Sequence, residues 1–193
     1  MRRGIGVIAS LVSVPTMSLF FALLAIVAEV TVVVAVVLWA GGKRSARLAE
    51  VGRRAQEAVA PSAAWLAWIV ALACVLGSLY LSEVAHFVPC KLCWYQRIAM
   101  YPLVVLLLVA AIRDDRAIAR ATLPLVAIGA GISVFHYLVE RFPAMAGAST
   151  CDPTAPCTVL WILRFHYLSI PAMALSGFLL IGLLVLSLPS KEI

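Results

Sequence analysis

Chemistry is to be sought first in the cysteines, four of which stand in two close pairs. The first pair lies in the run Pro89-Cys90-Lys91-Leu92-Cys93-Trp94-Tyr95-Gln96-Arg97. A Cys-x-x-Cys pair can close a disulfide within one turn of chain. If it opens a helix, the unpaired N–H groups and the dipole at that terminus favour a thiolate. Pro89 suits the entry to such a helix. Arg97 comes four residues after Cys93, so it falls on the same helical face one turn deeper. A fixed positive charge there can stabilise a thiolate, and it can hold the oxygen of a quinone as negative charge develops on it. Trp94 and Tyr95 suit a membrane interface, where a flat ring could stack beside them. The alternative is an inert disulfide at the start of a helix, with Arg97 reaching up to lipid headgroups.

The second pair lies in Cys151-Asp152-Pro153-Thr154-Ala155-Pro156-Cys157. Closing so short a ring adds less stability than closing a long one. An exposed short-ring disulfide is a poor staple and a reasonable partner for thiol exchange. Gly147-Ala148-Ser149 just before it reads as a mobile approach. A plain loop staple is the other reading. The four cysteines could also be a zinc site, but five residues separate Cys151 from Cys157, which is wider than the usual ligand spacing; no metal is expected. Cys74 sits within an apolar run and reads as a buried filler.

These pairs need elements to position them, and composition says of what kind. Of the 193 residues, 64% are hydrophobic and 12% charged, with a mean hydropathy of +1.07. A water-facing surface needs about twice that share of charge, so lipid must be the missing solvent. Apolar runs predict five spans, since a span needs about 20 residues: Met17 to Ala40, Ala63 to Ser82, Ile98 to Ile112 with a start nearer Cys93, Ala121 to Leu138, and Ile170 to Leu188. The run from Gly4 to Ala40 would make a single helix of about 55 Å, too long for one crossing, so a break at Pro15 is expected, with a short interfacial helix before it. Arg2 and Arg3 ahead of an apolar run would suit a signal peptide, but the run is too long, and Gly41-Gly42-Lys43-Arg44 reads as a stop.

The net charge of +6 comes with no nucleic-acid-binding motif, and the basic residues fall between spans. Lys43, Arg44, Arg47, Arg53, Arg54, Arg113, Arg116 and Arg120 lie on one side, against Lys91, Arg97, Arg141 and Arg164 on the other. The richer side is expected to be cytoplasmic. Both cysteine pairs then face outward, where disulfides persist. Arg2 and Arg3 conflict with this, because it places them outside as well. Lys43 to Pro61 spaces apolar residues as a helix on the inner surface would, and a solvated linker helix is the other reading. Thr158 to Leu168 is too short to span, and a flat interfacial helix is expected there. His136, with Glu140 one turn on to orient it, lies near the depth of a quinone head and could donate a hydrogen bond or a proton to it; an interfacial pair with ordinary hydrogen bonds is the other reading. Glu29, midway along the first span, is an intramembrane carboxylate and so either functional or paired inside the bundle.

Cys90, Cys93 and Arg97 at the opening of a span, followed by the loop pair Cys151 and Cys157 and a last span near Pro171, resemble the DsbB/BdbC family of membrane thiol:quinone oxidoreductases. The resemblance runs roughly from Trp65 to Leu188. It differs from the vitamin K epoxide reductase family, where the loop pair comes first. It implies an all-α membrane protein with a four-helix transmembrane bundle of DsbB type at residues 63–193. An extra N-terminal transmembrane helix (1–40) and a basic cytoplasmic linker (41–62) lie outside that core. It further implies a relay from a thioredoxin-like, DsbA-like extracytoplasmic oxidase to Cys151/Cys157, then to Cys90/Cys93, then to a quinone (ubiquinone or menaquinone) near Arg97 and His136. The short spacing of the second pair is more like the BdbC branch. A relay run in the reducing direction and a membrane scaffold or transporter subunit with two structural disulfides remain as alternatives.

Overall fold

The computed structural model describes residues 13–145 and 155–188. Five helices within this range are long and apolar enough to cross a membrane. Proline marks their starts. α1 (Val14–Gly42) and α7 (Ile170–Ser187) carry it in their first turn, as does α6 (Leu123–Arg141). The proline ring has no N–H to leave unpaired there and presets the helical φ. α3 (Ala63–Leu79) follows a 3-10 turn that contains Pro61, and α4 (Lys91–Arg113) follows Pro89. Pro15 therefore begins α1; a separate helix before it would lie outside the described residues. Two shorter α-helices join them among the described residues: α2 (Ala46–Val59), and α5 (Arg116–Ala121), which is capped by Asp115 accepting from the N–H groups of Ala117 and Ile118.

The helices α3, α4, α6 and α7 pack around one another in a closed four-helix ring, and α1 lies against α7 on its outside. Leu103, Leu107, Phe178, Ile181 and Val185 fill the centre of the ring. Close approach comes from small residues, because lipid gives no hydrophobic drive between helices and contact must come from packing. α3 buries Ala63, Ala67 and Ala71 on one stripe, and α1 buries Ser18, Ala22, Ala25 and Ala28 on another. α2 folds back on α1 and packs Leu48 against Gly41.

Two ends can be told apart. At one end, Gln56 and Arg120 donate to the carbonyls of Ser187 and Leu188. At the other, Arg164 donates to the Pro15 carbonyl and Arg141 to those of His166 and Tyr167. Cys90 and Cys157 share this second end. The expected interfacial helix at Thr158 to Leu168 is not there. The chain forms a small antiparallel hairpin instead, with β1 (Leu163–Arg164) paired to β2 (Leu168–Ser169). Phe165 and His166 turn it at φ values of 50° and 66°. Left-handed backbone at two consecutive residues is incompatible with a helix, and the turn lets the segment leave the interface to enter α7.

Candidate active site at the head of the bundle

Cys90 is the N-cap of α4. Its sulfur accepts the Cys93 N–H at 3.2 Å, which satisfies one of the helix's open donors. The cap places Cys93 one turn on, with the two sulfurs 2.7 Å apart. Two thiolates sharing a tetrahedral zinc would stand about 3.8 Å apart at ordinary Zn–S lengths. The pair is thus closer than shared metal ligation requires and nearer to disulfide contact, although His136 joins the two cysteines in a group whose donor atoms lie within 4.8 Å of one another. Cys90 and Cys93 are free thiols here, as is Cys74 within α3.

On its other side Cys90 meets α6, with His136 Nε2 3.6 Å from its sulfur. The Cys93 thiol beside it is the main reason that Cys90 is held well below the ordinary thiol value of 9.0, at about 4. Burial opposes this, while His136 and the Cys93 amide add to it. His136 and Glu140 are both buried, one turn apart on α6. No hydrogen bond joins them, and His136 Nδ1 and Glu140 Oε2 are without partners.

Cys157 of the second pair reaches the same place. Cys157 is disulfide-bonded and only 1% exposed. It packs in one buried cluster with Cys90, Leu92 and Val139, and Cys93 lies against that cluster. Cys151 and Gly147-Ala148-Ser149 lie outside the described residues. Phe87 and Trp161 stack at 4.8 Å and fasten the segment after Cys157 to the chain entering α4.

Cys93 opens the other way, onto an apolar cavity of about 580 Å³. Arg97 stands in the same wall, with Nε donating to Ser78 Oγ and Nη2 to the Ser78 carbonyl, both at 2.9 Å. These bonds fix the guanidinium inside the bundle, where it also lies over the Trp94 ring. Cys90, Cys93, Arg97 and Cys157 are thus brought to one site. His136 belongs to the Cys90 side and is not part of the cavity wall. Gln96, to which the sequence assigns no role, also lines the cavity and donates to Ser133 Oγ at 2.9 Å. A polar residue within a span was the signal that could have found it.

The cavity is lined mainly by apolar side chains, with Arg97 and Gln96 among the polar groups in its wall. The family described as "Disulfide bond formation protein DsbB" matches residues 60–188. "Disulfide bond formation protein C" of Bacillus subtilis (strain 168) is 45% identical over 117 residues, which is 61% of this chain and 85% of the relative. "Probable disulfide formation protein C 1" of Bacillus anthracis is 43% identical over 131 residues, or 68% of this chain and 92% of the relative. A "Probable disulfide formation protein" of Coxiella burnetii (strain RSA 493 / Nine Mile phase I) is 40% identical over 119 residues, covering 61% and 81%. No solved structure matches the chain. With its four-helix ring and the family match across it, this multi-pass membrane chain belongs to the DsbB family of disulfide-forming proteins.

Proposed function

We propose that the chain is a thiol:quinone oxidoreductase that reoxidises a thioredoxin-like, DsbA-like oxidase outside the cytoplasm. One observation carries the reading: Cys157 and Cys90 share a buried cluster, while Cys93 opens beside Arg97 onto an apolar cavity. A scaffold with two structural disulfides has no use for either contact.

In this reading the reduced partner attacks the Cys151–Cys157 disulfide. Cys157 is shielded, so attack falls on Cys151 and Cys157 leaves as thiolate. The partner's second thiol then displaces Cys151, so that the partner leaves as a disulfide, and exchange of the reduced Cys151/Cys157 pair with the Cys90–Cys93 disulfide restores the first bond and leaves Cys90 and Cys93 as thiols. A quinone bound in the cavity supplies the sink for two electrons and two protons. Cys93 faces it, and the Arg97 guanidinium, held by Ser78, offers positive charge at its edge. His136 takes and returns a proton at Cys90 Sγ. The inventory closes: one partner dithiol becomes a disulfide for each quinone reduced to quinol. The head of the bundle faces outward, because the basic residues gather at the other end.

The test is quinone reduction by the purified chain in detergent, with a reduced thioredoxin-like oxidase and soluble analogues of ubiquinone and menaquinone. Quinone loss should match the thiols consumed, and Cys93→Ser should abolish turnover without lowering the unfolding temperature. A chain that reduces neither quinone with several such partners would return the scaffold reading.

A further inference from the structure

The helix α1 lies outside residues 60–188, where the family match runs, and the relay above assigns it nothing. It is nevertheless docked by specific polar contacts. Glu29, midway along it, accepts from Tyr167 Oη at 2.6 Å and from Ser176 Oγ at 2.8 Å. At its start, Arg164 donates to Ser18 Oγ and to the Pro15 carbonyl. Between these points Ala22 and Ala25 bury themselves against Leu168 and Ala172. Each of these contacts is made to α7 or to the hairpin that enters it.

Docked in this way, α1 turns Phe21, Leu24 and Ala28 to the cavity that Cys93 and Arg97 line from α4. The Phe21 ring lies so close to α3 that a Cβ on Gly77 would sit 3.0 Å from it. Phe21 therefore packs onto the α3 backbone and closes that flank of the cavity. We propose that α1 is a wall of the quinone site, and that Phe21 and Leu24 decide which quinones the site accepts. The Glu29 clasp with Tyr167 and Ser176 holds this wall in register. The inference rests on the quinone reading and adds to it the part of the chain that the family core lacks.

The experiment uses the full-length chain, reduced by a small dithiol so that no protein partner is needed. Leu24→Trp places an indole in the cavity from a half-exposed position. It should raise KM for a short-tailed quinone analogue about ten-fold, the lower end of what a change in pocket shape achieves, with kcat and the KM for dithiol unchanged. Glu29→Leu should produce the same split, and Glu29→Gln, which keeps an acceptor, should restore it. Val33→Ala, on the same helix but away from the cavity, should change neither constant. As a readout independent of turnover, a photoreactive azidoquinone should label the peptide containing Phe20 to Ala28 as well as that containing Cys93. Label on α4 without label on α1, together with an unchanged KM in Leu24→Trp, would overturn the wall while leaving the quinone reading intact. Label on neither helix, with no quinone reduced by the unsubstituted chain, would remove both.

Discussion

Cys90 meets two demands at once: as an N-cap it must accept from the α4 backbone, and as the redox thiol proposed for the relay it must ionise. A sulfur that accepts the Cys93 N–H and faces both the Cys93 thiol and His136 does both better as a thiolate. Its folded value of about 4 lies below the ordinary 9.0, which fixes the sign of the linkage. In the reduced protein, the stability contributed by this thiolate is fully present above pH 9.0 and is lost as pH falls through about 4. The same preference for the reduced, ionised form makes the Cys90–Cys93 disulfide more oxidising, the direction that the proposed relay from Cys157 needs. Alkylation of the reduced protein, followed on the Cys90 peptide by mass spectrometry, should stay fast far below pH 9.0 and slow only near 4. Cys93→Ala removes the leading cause and should move the titration back up towards the ordinary range. An unchanged profile in that variant would shift the assignment to His136. Neither the His136 contact nor the Gln96–Ser133 hydrogen bond could be read from the chain, since 46 and 37 residues separate the partners and no local pattern encodes which helix faces meet.

At the scale of elements, close approach is set by glycine where α6 crosses α7. A Cβ at Gly129 would collide with the Phe178 ring, which is fully buried. Two residues along the same helix, Gly131 has nothing within 4 Å of the place its Cβ would take. Gly129→Ala should therefore destabilise by about 1–3 kcal/mol, the usual cost of overpacking. Gly131→Ala should be neutral or stabilise by up to about 1 kcal/mol through helix propensity. Thermal unfolding in detergent separates the two, and equal effects would mean that the α6–α7 contact is looser than described. The spans themselves were legible, because continuous apolar runs need only length to be recognised, and the prolines at Pro15, Pro61, Pro89, Pro124 and Pro171 stand at or just before their starts. The segment after Cys157 was not legible. Its apolar residues suggested an interfacial helix, whereas Phe165 and His166 adopt left-handed backbone that neither residue type announces. The hairpin exists because Arg141 and α1 hold it from both sides, and such tertiary contacts override a local preference.

For the whole molecule, charge and chemistry divide between the two ends of the bundle. Cys90, Cys157 and the start of α1 share the head, while α2 and α5 carry most of the basic residues at the foot. This polarity follows from the physics of the bilayer. Lys and Arg set orientation by remaining on the cytoplasmic side of short loops, and disulfides persist only on the oxidising side. The orientation proposed above, with the foot in the cytoplasm and the head outside, satisfies both rules. The docking of α1 adds a structural constraint, because the hydrogen bonds from Arg164 to Ser18 and Pro15 fix its start at the head. An α1 inserted the other way round would lose these bonds and leave the Glu29 carboxylate in lipid without Tyr167 and Ser176, at a cost of several kcal/mol. Arg2 and Arg3 lie outside the described residues. Two exposed positions report the outcome. In intact cells a membrane-impermeant maleimide should label Glu83→Cys, at the head, above the level of the unsubstituted chain. It should label Glu57→Cys, on α2, only after the membrane is opened. The reverse pattern would invert the bundle and place both cysteine pairs in a reducing compartment, where an oxidising relay through Cys157 and Cys90 would have no clients to serve.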